Sequence, residues 1–277
     1  MLRNFDELKK YALLATDGKI GRVIDCYFDD QGWAVRYLVV DTGLWLTNRK
    51  VLISPIAVGR LDDNADDENQ TVSVGLTMEQ IKNSPDIDTD KPVSRQHEND
   101  YIGYYGYPGY WGGAGLWGVG MYPDLMMEGY ANNTLPSESS EREKEARVAH
   151  QAESRRASED IHLRSCKEVI GYQVHATDGD VGHVSGMLVD EQSWAIGYLI
   201  VDTGHWWSGH KVLIAPHWIE VIQWGEKTVT VSLTRQEVKD APLYNGNAPL
   251  STEPEIVIPA HYRRDSAGQD SHSLPDL

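Results

Sequence analysis

Four aspartates stand at matched places in two stretches of the chain. Asp17 and Asp178 close Ala-Thr-Asp before a glycine, and Asp41 and Asp202 open the triplet Asp-Thr-Gly. Paired carboxylates are one way to perform general acid–base chemistry. A turn explains the same residues without catalysis, because an aspartate side chain bonds nearby backbone and glycine supplies the tight geometry. On that reading Asp17, Gly18, Asp41, Gly43, Asp178, Gly179, Asp202 and Gly204 are structural turn residues, and no catalytic residue is assigned. The histidines His175, His183, His205, His210 and His217 crowd the second stretch, whereas the first has Leu14, Arg22, Leu44, Arg49 and Ile56 there. His205 and His210 could share in a metal site, yet no cysteine or regular ligand spacing completes a set, so no metal is assigned. The acidic run Asp62 to Glu68 lacks the glycine and terminal glutamate of a calcium loop and reads as a hairpin tip. No nucleophile elbow, zinc-protease helix, phosphate-binding loop or Cys-x-x-Cys is present in the sequence. The expectation is a protein that is not an enzyme and carries no cofactor.

Those residues are held by a duplication. Residues 2–56 align with 163–217 without a gap, and about 26 of the 55 pairs are identical. The run from Trp33 to Ile53 returns from Trp194 to Ile214, and after a four-residue insertion in the first copy Thr71–Val74 returns as Thr228–Val231. A period this long indicates a duplicated domain, since solenoid units span roughly 20–50 residues.

Within each copy the pattern is that of short strands. Val35, Tyr37 and Val39 alternate with Ala34, Arg36 and Leu38, in a composition suited to pleated surfaces. Turn signals separate strands expected near 9–15, 19–28, 33–40, 50–54, 56–61 and 70–75. Asp17-Gly18 and Asp178-Gly179 are the hairpin candidates. Thr77 and Thr234 are candidate N-caps of a short helix closing each copy. The fold class expected is all-β: two tandem small β-barrels, each closed by a short helix, with a disordered or partly helical linker and a disordered tail. The corresponding divisions are a first barrel over 1–90, a linker over 91–160, a second barrel over 161–243 and a tail over 244–277.

The linker has two parts. Tyr101 to Pro123 carries no charge and is dominated by Gly, Tyr and Trp, whereas residues 137–160 are densely charged and would form a solvated helical spacer. The aromatic stretch has too much Gly and too few aliphatic residues for a membrane span. It reads as a flexible adhesive linker, with packing over the barrels or peripheral membrane contact as alternatives. Tyr110, Trp111 and Trp117 within it, and Trp45, Trp206 and Trp207 beside the Asp-Thr-Gly turns, are the candidate binding residues. Trp45 and Trp206 are also the candidates for a contact between the barrels, which are expected to pair within the chain.

The formal charge of −17, from 42 acidic and 25 basic residues, is the reverse of what phosphate neutralisation requires and argues against nucleic acid as a partner. Cys26 and Cys166 occupy non-equivalent places in the repeat, so no disulfide framework is expected. With no apolar leader at the N-terminus, the expectation is a cytoplasmic, acidic protein, membrane-associated only through a partner.

The motifs Gly18-Lys19-Ile20-Gly21-Arg22-Val23-Ile24-Asp25, Tyr37-Leu38-Val39-Val40 and Lys50-Val51-Leu52-Ile53-Ser54-Pro55 resemble the PRC-barrel domain. Their counterparts are Gly179–Val184, Tyr198–Val201 and Lys211–Pro216. This module occurs in the cytoplasmic part of the photosynthetic reaction-centre H subunit and in RimM-type ribosome maturation factors. The resemblance covers about 165 of the 277 residues and implies a small β-barrel that docks proteins. The H subunit's transmembrane helix and the RimM-type N-terminal domain have no counterpart here. The function expected is therefore a non-enzymatic adaptor or scaffold with an unnamed protein partner, compatible with homo-oligomers. The alternatives are an H-subunit-like accessory to the electron transfer of the photosynthetic light reaction, and a small-ligand or metal sensor using the His-rich second barrel.

Overall fold

The computed structural model describes residues 1–62, 70–85, 93, 95–110, 115–118, 120–124, 126, 163–204 and 209–246. Among the described residues β-strands predominate, with few helices. The first copy contains β1 (Leu2–Asn4), α1 (Phe5–Leu8), β2 (Ala12–Ala15), β3 (Gly18–Asp29), β4 (Ala34–Asp41), β5 (Lys50–Ile53), β6 (Val58–Asp62), β7 (Thr71–Val74) and α2 (Met78–Lys82). A helix, α3 (Arg95–Tyr105), follows. The second copy repeats the series as β8 (Leu163–Ser165), α4 (Cys166–Val169), β9 (Gln173–Ala176), β10 (Gly179–Asp190), β11 (Ile196–Asp202), β12 (Lys211–Ile214), β13 (Ile219–Gln223), β14 (Thr228–Val231) and α5 (Arg235–Asp240).

Each copy orders its strands identically. The first sheet runs β5-β4-β3-β2-β7-β6 and the second β12-β11-β10-β9-β14-β13. In both, one pair is parallel, β2 with β7 and β9 with β14, and the other pairs on these paths are antiparallel. The expectation of closed barrels is corrected here: among the described residues β5 and β6 end the first sheet and β12 and β13 the second, so neither ladder closes on itself. The 3-10 turns at Pro55–Ala57 and Pro216–Trp218 carry the chain from one edge toward the other. Proline there starts a turn and cannot donate to a ladder.

The seventh strand of each sheet comes from the other copy. β1 pairs antiparallel with β10, Leu2 opposite Asp190 and Asn4 opposite Leu188. β8 pairs with β3 in the same register, Leu163 opposite Asp29 and Ser165 opposite Tyr27. The cause lies in unequal strand lengths. β3 has twelve residues, but the short β2 covers only Gly18 to Arg22, so the far end of that edge is left unpaired. An open edge is a template for another strand, and the exchange fills both by reciprocal swapping. Arg3 reaches Glu191 at 2.8 Å and, at the equivalent place, Arg164 reaches Asp30 at 3.4 Å.

The expected two-copy core is present. Val39 and Ile200, and Leu52 and Leu213, are buried in both copies, and one continuous apolar cluster extends from Phe5 and Leu13 to Val229 and Val238. Thr77 and Thr234 cap α2 and α5 through complete capping boxes with Gln80 and Glu237. In the aromatic linker the alternative of packing over the barrels replaces the flexible adhesive reading: α3 with Tyr101 and Tyr107 packs where Tyr27, Tyr37, Val39 and Leu52 present apolar surface, and Tyr110, Leu116 and Trp117 lie against Arg36. The charged stretch 137–160 and tail residues 247–277 lie outside the described residues. No helix among the described residues is long and apolar enough to cross a membrane.

Candidate functional site

At the seam between the copies the repeat meets itself. Ala34 faces Ala195 in an antiparallel bridge, with Val35 N–H donating to Trp194 O at 2.8 Å and Ile196 N–H to Trp33 O at 2.7 Å. These are equivalent positions, so the contact is isologous. Trp33 and Trp194 both have positive φ, 50° and 59°. That is an unusual state for a bulky residue and persists only where the surroundings over-determine it. Here each backbone is fixed twice, by its turn bond to Asp29 or Asp190 and by the seam bond.

Beside the seam, on the first sheet, lies a buried polar cluster. Arg36 is 3% exposed on β4. Its guanidinium meets the Asp29 carboxylate at 3.1 Å, donates to Leu116 O at 2.7 Å, and lies 3.9 Å and 4.7 Å from the ring centres of Tyr110 and Trp117. Buried arginine is tolerated because its planar fork pairs and stacks at once; Arg36 Nε alone has no hydrogen-bond partner. Glu98 of α3, also buried, accepts from the hydroxyls of Tyr110 and Tyr37. Tyr101 stacks edge-on against Tyr37, with ring centres 5.0 Å apart, and donates to Leu52 O at 2.7 Å. Burial pushes the phenols of Tyr101 and Tyr107 well up and Tyr105 to about 12. Trp117 Nε1 donates across the seam to Ser193 O at 2.8 Å. The aromatic segment thus forms a cap locked to the first sheet and tied to the second copy.

The exchanged strand is held by a second cluster. Asp25 accepts from Ser165 Oγ at 2.5 Å, from Lys167 N–H at 3.1 Å and from Cys26 N–H at 2.8 Å. Burial raises its pKa against those bonds. The exchange brings Cys26 and Cys166 into the same core, both as free thiols. Burial raises both, and for Cys166 the neighbouring Cys26 adds to the effect.

The repeated aspartates do two different things. Asp41 and Asp202 accept from the N–H groups of Gly43 and Gly204, each at 2.8 Å, and both glycines are left-handed at φ near +55°. Asp17 and Asp178 instead reach from their hairpins to the first N–H of the closing helices, at Met78 and Arg235, both 2.7 Å. Gly18 and Gly179 sit in those hairpins. The described histidines do not converge: His175 contacts Asp180 at 2.6 Å, His210 is exposed just before β12, and His217 lies beside Trp218, its pKa lowered by burial. Among the described residues no three His, Cys, Asp or Glu side chains gather as a metal site.

Of the candidate binding residues, Tyr110 and Trp117 are buried in the cap, and Trp45 is half-buried against the core. Trp111, His205, Trp206, Trp207 and the tip at 63–69 lie outside the described residues. The seam is built by Trp33 and Trp194, which sequence reasoning passed over although both repeat at fixed offset. Arg36 was also missed; an arginine inside Trp-Ala-Val-Arg-Tyr-Leu-Val-Val was the available signal of a buried, paired charge.

No protein-family model matches the chain. It is similar to an uncharacterized protein of Deinococcus radiodurans, 31% identical over 78 residues, 28% of this chain and 26% of that protein. The chain therefore spans about a quarter of that relative's length.

Proposed function

We propose that the protein is a non-enzymatic adaptor that binds a protein partner, built from two PRC-type barrels left open along one edge. The barrel reading rests on the identical strand order of the copies and on the Lys-Val-Leu-Ile strand followed by a proline 3-10 turn in each. The adaptor reading rests on one observation: the same outer face of the repeat is covered by the chain's own aromatic cap in the first copy and is partly open in the second. A duplicated face that, among the described residues, is fully covered in one copy alone suits a scaffold that is half satisfied by itself.

The test begins with cross-linking in the source cell to identify a partner, followed by calorimetry with both proteins purified. A stoichiometric complex is expected. Asp41→Asn and Asp202→Asn should lower stability through their turns while leaving that affinity within about twofold, since rim and turn residues contribute little to binding energy. If no purified protein forms a complex, or both substitutions abolish it in a folded protein, the adaptor reading fails.

A further inference from the structure

The constant offset of the repeat allows the two outer faces to be compared residue by residue. Ala34, Arg36, Tyr37, Ser54 and Pro55 are buried on the first sheet, and their counterparts Ala195, Gly197, Tyr198, Ala215 and Pro216 are only half-buried on the second. The difference is the cap. Tyr101, Tyr107, Tyr110 and Trp117 cover the first face, whereas Tyr244, packed against Leu188, Ile200 and Leu213, covers only part of the second. What remains is a groove of about 770 Å³ along the seam, floored by Leu2, Trp33, Ile196, Tyr198 and Pro216. Gly197 stands where the first sheet has Arg36, so a large side chain is missing there and the tip of Leu2 lies over the position. Asp190, Ser193 and His217 supply a polar rim, the usual composition of a binding cleft.

We infer that this groove docks an uncharged segment carrying tyrosine or tryptophan, supplied by another protein, in the place that the cap fills on the first sheet. The inference rests on the adaptor reading and names its surface. The occupant's chemistry is taken from the pseudosymmetric site, where such a segment is already seated on homologous residues. The chain has no second segment of that kind. After Tyr244 it contains one aromatic residue, Tyr262, among seven charged ones. Of the stretch 101–123, Tyr101, Tyr107, Tyr110 and Trp117 are already buried on the first copy, in this molecule and equally in a second one. Trp33 and Tyr198 line the groove, and aromatic anchors in a water-excluding cleft carry most of the energy of such contacts.

The experiment uses the full chain and a synthetic peptide with the sequence of residues 104–117 as the probe, titrated by calorimetry. Gly197→Trp fills the groove at modest strain, since an added Cβ meets only the tip of Leu2 at 3.2 Å. Tyr198→Ala removes part of the floor at a half-buried position. Saturable binding to the wild type, weakened roughly tenfold or more by both substitutions, is the expected result. No saturable binding, or equal binding to both variants, overturns the inference. Binding lost in Arg36→Ala but kept in the groove variants would mean exchange into the first sheet, and also overturns it. So does binding that appears only after removal of residues 247–277, which makes the chain's own tail the occupant, or a dimer in sedimentation that Gly197→Trp dissolves, which makes it a second copy. A purified partner captured equally well by both groove variants would sink the groove and leave the adaptor reading intact.

Discussion

Arg36 shows how one side chain commits a face. Its charge is 3% exposed and is balanced by Asp29, by a carbonyl of the cap and by two aromatic rings. Removing one partner of a buried pair strands the other, so Arg36→Ala should cost about 3–5 kcal/mol in urea unfolding. Arg36→Lys should recover only part of this, because an ammonium cannot stack and fork together; a loss below about 1 kcal/mol would show the pair to be incidental. Asp190, the counterpart of Asp29, behaves differently with pH. Burial opposes its ionisation, but the Ser193 hydroxyl and N–H and the Met1 amino group outweigh it and hold the carboxyl below its ordinary value. A carboxyl lowered in the folded state stabilises above its unfolded pKa and loses that contribution as pH falls through the folded value. Wild type and Asp190→Asn should therefore differ in stability at neutral pH and converge below the ordinary carboxylate range. A gap that stays constant down to about pH 2 would contradict this assignment. The aspartate turns were legible in the chain because a local rule governs them. The cap contacts of Arg36, the Glu98 contact to Tyr37 and the Asp17 contact to Met78 were not, since those partners lie 61 or more positions away.

At the level of the element, the shared Gly-x-x-Gly opening of β3 and β10 has a steric cause. A Cβ on Gly21 would lie 1.9 Å from Asp41 O, and one on Gly182 would lie 2.0 Å from Asp202 O. Neighbouring backbone cannot yield as a flexible side chain could. Gly21→Ala should thus pry β3 from β4 and destabilise by about 3 kcal/mol or more, with loss of amide protection at Val40 and Asp41. Normal protection in a folded variant would show that the strand can slide. Strand boundaries followed the alternation of apolar residues closely; β3, expected over 19–28, spans Gly18–Asp29. The three-residue β1 and β8 had no such signal, being too short to show a period.

For the molecule as a whole, the exchange decides cooperativity. Each sheet borrows a strand from the other copy, and one apolar cluster crosses between them. Two independent domains would melt in two steps, but this arrangement should melt in one. Calorimetric and van't Hoff enthalpies should agree, and Leu52→Ala in the first copy should lower a single transition by about 2–5 kcal/mol. Two resolved transitions, with only one shifted, would mean that the exchanged strands contribute little.

The sequence by itself determined the duplication, the all-β class, the places of the strands along the chain, the helix caps and the Asp-Gly turns. Each depends on neighbours within a few residues or on a constant offset. Only the tertiary structure decided which copy each leading strand joins, that the ladders stop short of closing, and that Tyr101, Tyr107, Tyr110 and Trp117 form a cap and not a tether. Those outcomes depend on which edges and faces remain uncovered once the sheets exist. Tyr37 and Tyr198 are the same residue at the same place in the repeat, and one is buried while the other is half-open, because the segment that covers the first occurs only once in the chain.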